Sequence, residues 1–116
     1  MWFLYLETFF ILLFGHFLAD FPLQGDYLSK IKDPRNNPPE FWITGLLAHS
    51  TIHAGITFFL TGQFFLAMFV LVTHFIIDYG KCSGWYGKDS KAFLIDQLLH
   101  WAVLAVVAGI YILGDV

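Results

Sequence analysis

Four apolar stretches, each close to the thickness of a bilayer, dictate what this chain can fold into. Trp2 to Phe21 and Phe41 to Leu60 each run for about 20 residues, Phe64 to Tyr79 for about 16, and Phe93 to Leu113 for about 21. As helices rising 1.5 Å per residue, the longer ones cover about 30 Å, the depth of a membrane's hydrocarbon core. The third gains length from Gly62 and Gln63 in the turn before it, so the spans fall at about 2–21, 41–60, 62–79 and 93–113. Leu-, Phe- and Ala-rich content favours helices, because barrel strands would alternate polar and apolar residues. The sequence predicts an all-α fold, an integral membrane four-helix bundle forming a single membrane domain over residues 1–116.

Composition agrees. Hydrophobic residues make up 58% of the 116, aromatic residues 20% and charged residues only 13%, against about 25% charged in an ordinary soluble domain. A water-soluble domain this small could not hide that much apolar surface, which excludes a soluble enzyme; a disordered chain is excluded as well. The single cysteine, Cys82, leaves no disulfide framework or thiolate cluster within one chain, and a net charge of −3 offers no footprint for nucleic acid. The first span does not read as a signal peptide: it has no basic leader, carries Glu7 and is too long.

Two polar loops, 22–40 and 80–92, and the tight turn Thr61-Gly62-Gln63 connect the spans. The turn makes spans two and three antiparallel neighbours. Pro34, Pro38, Pro39 and the pair Asn36-Asn37 make the first loop an ordered or partly ordered connection. All six cations lie in the two loops: Lys30, Lys32 and Arg35 in the first, Lys81, Lys88 and Lys91 in the second. The positive-inside rule then places both loops in the cytoplasm and both termini outside. Trp2, Trp42, Trp85 and Tyr111 fit an interfacial aromatic belt.

Polar residues inside the spans carry the functional signal, because ionisable groups in lipid are costly. They come in pairs: His16 and Asp20, His49 and His53, His74 and Asp78, Asp96 and His100. Each pair is spaced i, i+4, which sets both side chains on one helix face. All five histidines of the chain belong to these pairs. Three pairs sit at the cytoplasmic ends of their spans, and His49 and His53 lie roughly 12 to 18 Å deep. If the four faces point inward, five imidazoles and three carboxylates form one cluster.

Metal binding is the direct use for such a cluster, since imidazole and carboxylate suit Zn, Mn or Fe and the ion offsets the desolvation of its ligands. The expected ligands are His16, Asp20, His49, His53, His74, Asp78 and His100, enough for one or two divalent ions, zinc foremost, with open positions. Asp96 or Asp78 could act as general base, and Lys81, with Lys91, could meet an anionic group at the mouth. Each has a plainer reading. His16/Asp20 and His74/Asp78 could be polar glue at helix ends, Asp96 could complement a helix N-terminus, and Lys81 could anchor the chain at the interface. Gln24 could extend the Asp20 face, Gln97 points about 100° from Asp96, and Gly45, one turn before His49, suits close helix contact. Glu7 and Cys82 need no role.

The runs HFLADFPLQ from His16, HSTIHA from His49, HFIIDYGK from His74 and DQLLH from Asp96 resemble the bacterial and phage membrane proteins grouped as Domain of Unknown Function 3307. The resemblance covers nearly the whole chain and implies a multi-pass protein of the bacterial inner membrane, with no assigned activity. The layout is more loosely similar to small membrane-bound metal-dependent hydrolases. The leading expectation is a hydrolase that takes an amphiphilic, lipid-like and phosphorylated or acylated substrate from the inner leaflet. Alternatives are a metal-ion or proton transporter or sensor working as a homo-oligomer, a di-iron oxidase, and an accessory protein whose polar cluster fixes helix packing.

Overall fold

The computed structural model describes residues 1–114. Its elements are α1 (Trp2–Asp20), α2 (Gly25–Ile31), α3 (Pro39–Thr61), α4 (Phe64–Cys82) and α5 (Asp89–Gly114), with no strand among the described residues. Four of these helices are long and apolar enough to cross a membrane. α1 packs against α3, α3 against α4, α4 against α5 and α5 back against α1, so the long helices close a ring. The bundle measures 45 × 27 × 21 Å, long enough for a bilayer core of about 30 Å with connections at its ends.

The helix ends follow local chemistry. Pro39 opens α3 at a position where a missing N–H costs nothing, and Pro38 before it is extended. Gly62 closes α3 in the left-handed conformation (φ 69°), its N–H bonding Phe58 O at 2.7 Å. The chain then reverses at once into α4.

Both polar connections differ from the sequence expectation. The first connection contains α2, and the backbone of Lys32 just after it approaches α3 where Gly45 has no side chain. A Cβ there would lie 3.1 Å from Lys32 Cα and from Lys32 N. α4 runs on to Cys82 and α5 begins at Asp89, so the second connection is residues 83–88 rather than 80–92. Hydropathy marks where lipid touches a helix, and both helices continue beyond that length through polar turns.

Burial divides the bundle into two layers. Toward the termini and the Gly62 turn, Leu12, Leu66, Val70, Leu104, Val107 and Ala108 form a dry core. Toward the α1–α3 and α4–α5 connections the interior is polar, and His16, His49, His53, His74, Asp96 and His100 are all buried. Apolar bulk lies outside instead: Phe3, Phe10, Phe59 and Phe65 are exposed, as suits a surface facing acyl chains. Gly15 on α1 faces Ile56 of α3, whose side chain occupies the space a Cβ would need.

Candidate metal centre

Asp20 ends α1 with its carboxylate turned into the bundle. Its Oδ1 lies 2.9 Å from His53 Nε2 and 3.1 Å from His49 Nε2, both on α3, and 3.9 Å from His74 Nε2 on α4. The i, i+4 spacing puts His49 and His53 one turn apart on the same face, so both reach one oxygen. The four ligand atoms of Asp20, His49, His53 and His74 lie within 4.8 Å of one another. A tetrahedral zinc ion with bonds of about 2.0–2.1 Å sets its ligands about 3.3 Å apart, a separation inside the range this group spans, from 2.9 to 4.8 Å.

Three of the histidine rings, His53, His74 and His100, stack in succession. His53 and His74 have centroids 3.8 Å apart, and His74 and His100 4.3 Å. His16 stands 5.0 Å from His53 and 5.2 Å from His100. His74 is 3% exposed, and neither of its ring nitrogens has a hydrogen-bond partner among the described residues. Such a group is costly to bury unless something else satisfies it.

The remaining expected residues surround this group in distinct ways. His16 Nε2 lies 3.1 Å from Asp20 Oδ2. His100 Nε2 lies 3.3 Å from Asp96 Oδ1. Lys81 Nζ, at the margin and partly exposed, is 4.0 Å from Asp96 Oδ2 and 5.7 Å from the centre of the Phe93 ring. Asp78 stands outside the group of four: its Oδ2 accepts a 2.7 Å hydrogen bond from Lys32 Nζ and lies 4.0 Å from His49 Nε2. Gln24 hydrogen-bonds back to Asp20 O at 3.2 Å, close to the same carboxylate.

Two residues at the site have no place in it on sequence grounds. Gln97 is buried, and its Nε2 donates to Asp20 Oδ2 at 3.1 Å and to Asp96 Oδ2 at 3.2 Å. Its Oε1 lies 3.2 Å from His16 Nε2 and accepts from it when that nitrogen carries the proton. Gln97 thus ties α5 to the Asp20 carboxylate. Lys32 is 6% exposed although it belongs to a polar connection. The contact of α2 with Gly45 sets its backbone on α3, from where the ammonium reaches Asp78. Gly45 was the available signal, one turn before His49 on the inward face.

A cavity of about 70 Å³ lies at this end of the bundle, bordered by Asp20, Lys32, His49, Asp78, Lys81 and Asp96 among others. Burial, then the charges of Asp96 and Asp78, push the Tyr86 phenol above its ordinary pKa. The phenol hydroxyl donates to Ile77 O at 3.0 Å.

The family described as Protein of unknown function (DUF3307) matches residues 8–115, a stretch that holds every side chain of the cluster. Neither a curated protein nor a solved structure matches the chain. With nearly its full length matched, the chain belongs to the DUF3307 family.

Proposed function

We propose that this chain is a membrane-embedded metal-dependent hydrolase, and that Asp20, His49, His53 and His74 hold its divalent ion. The observation that carries the reading is His74. An imidazole buried with neither nitrogen partnered among the described residues, beside a carboxylate and two more imidazoles, is a donor set that suits a divalent ion. Zinc suits the donor set best, with manganese or iron next, and His16 and His100 are near enough to serve a second ion.

A divalent ion held there supplies Lewis acidity toward a water and toward a phosphoryl or acyl oxygen. The chain's own residues do the rest. Gln97 fixes the Asp20 carboxylate, as hydrogen bonds to ligating groups do in metal sites. Asp96, beside His100, is the general base, its Oδ2 oriented by Gln97. Lys81 at the margin draws an anionic group inward.

The dry core favours an enzyme over a transporter. Leu12, Leu66, Val70, Leu104 and Val107 fill the half of the bundle toward the termini, an apolar layer between the polar cluster and that end. The substrate therefore enters from the loop end, which the positive-inside rule assigns to the cytoplasm, and an amphiphile from the adjoining leaflet is its natural class. A cysteine in place of Asn36 checks the orientation: a membrane-impermeant thiol reagent should label it in inverted vesicles and not in intact cells.

Elemental analysis of chelator-free protein tests the central reading. We expect one to two equivalents of divalent metal per chain, lost when His49 and His53 are both replaced by Ala while the protein still inserts. Metal-free protein, or unchanged metal in the double variant, would end the proposal.

A further inference from the structure

Lys32 is not required by the metal reading, and its placement is specific. A buried Lys–Asp pair is a weak stabiliser, since desolvation offsets the attraction and apolar side chains would fill the same space at less electrostatic cost. Yet the fold seats the Lys32 backbone on Gly45 and delivers the ammonium beside the candidate metal ligands. An ammonium has three donors, and the bond to Asp78 uses one. Lys81 borders the same cavity from α4. Three carboxylates, Asp20, Asp78 and Asp96, face two ammonium groups there, a net charge of −1 that one divalent ion turns to +1.

We propose that Lys32 and Lys81 form an oxyanion subsite beside the metal position, fitted to the terminal phosphate of the substrate. The inference rests on the metal reading and narrows its substrate class to phosphate monoesters and pyrophosphates. At about 70 Å³ the cavity has room for about two waters. A bare phosphate end can replace those waters with its oxygens, whereas a choline or glycerol headgroup adds several more heavy atoms to be placed at its mouth. The phosphate displaces Lys32 from Asp78 in part, and the free donors of the ammonium take its oxygens.

The test uses the full chain in nonionic detergent, loaded with zinc and titrated with inorganic phosphate by calorimetry, with acetate as the comparison anion. Phosphate should bind and acetate should not. Lys32→Gln should weaken phosphate binding by about tenfold or more with zinc content unchanged, and Lys32→Arg should restore most of it. If Lys32→Gln does not fold, Lys81→Gln should weaken phosphate in the same direction. A second arm compares phosphatidic acid with phosphatidylcholine in mixed micelles: preference for phosphatidic acid over inorganic phosphate identifies a lipid source, and equal affinity a soluble one. Zinc-loaded protein that ignores phosphate, or lysine variants that bind it like the wild type, overturn the subsite. If the wild type takes up no zinc, the metal reading fails first. Phosphate titration of that same protein then decides the subsite alone: Lys32-dependent binding upholds it, and no binding overturns both.

Discussion

Asp20 Oδ1 approaches His53 Nε2 to 2.9 Å across the α1–α3 interface, and the other oxygen of the same carboxylate accepts from Gln97 on α5. One partly buried side chain therefore ties three helices through a single carboxylate. Its two oxygens have different tasks: Oδ1 faces the imidazoles of α3 and α4, and Oδ2 is held by Gln97 and His16. Asp20→Asn keeps the shape and removes the charge, so it should cost more metal affinity than the loss of a supporting residue. Gln97→Leu leaves every ligand in place and frees the carboxylate to turn, which should weaken metal binding by about 10–100-fold. Competition against a chromophoric chelator measures both. Asp20→Asn protein that holds metal as tightly as the wild type would remove Asp20 from the ligand set.

Gly45 makes a separate, mechanical prediction. A methyl group at this position meets Lys32 backbone atoms at 3.1 Å and the Ile31 side chain at 2.9 Å, and backbone cannot step aside as a flexible side chain can. Gly45→Ala should lift α2 from α3 at a cost of about 1–3 kcal/mol, the usual range for overpacking. Withdrawal of Lys32 would leave Asp78 buried without its cation. The expected readout is faster trypsin cleavage after Lys30 and Lys32 with the long helices intact by circular dichroism. Cleavage at the wild-type rate would show that the contact is not needed to seat the connection.

The convergence of the histidines was legible because cost and periodicity point the same way. His49 and His53 have no reason to sit deep in a span except inward, and i, i+4 spacing leaves them one face to share. Gln97 was not legible for the same geometric reason. Neighbouring residues on a helix diverge by about 100°, so Asp96 and Gln97 can both face the interior only because the sector between them does, and helix rotation is set by packing. Lys32 was hidden differently: the charge asymmetry of the loops already accounted for every cation. The four long helices were plain in the sequence. Their ends were less so, since α4 and α5 carry on past the lipid through Lys81, Cys82 and the Asp89-Ser90-Lys91 turn, where hydropathy has nothing to report.

The connection that carries Lys32 is held by a small polar network with its own pH dependence. Asp33 Oδ1 accepts from the Arg35 backbone N–H at 2.9 Å and from Arg35 Nε at 3.3 Å, while Oδ2 accepts from Asn36 Nδ2 at 3.0 Å. Asn37 Nδ2 closes the turn by donating to Lys30 O at 2.7 Å. Burial pushes the Asp33 carboxyl upward, but the hydrogen bonds and charge of Arg35, with Asn36, outweigh it and hold the group below its ordinary value of 3.8. A carboxyl whose folded pKa is depressed contributes its stability in full above the unfolded value, and loses it as pH falls through the folded one. The network should therefore be intact at neutral pH and loosen only in acid below 3.8. Because the site is near the surface, the contribution is small and local. In detergent, the Arg35 amide resonance should titrate with a midpoint below 3.8, and Asp33→Asn should abolish that step. The same variant should speed trypsin cleavage after Arg35 at neutral pH. A midpoint at or above about 3.9, the value of a free aspartate, would mean that Arg35 does not hold the turn.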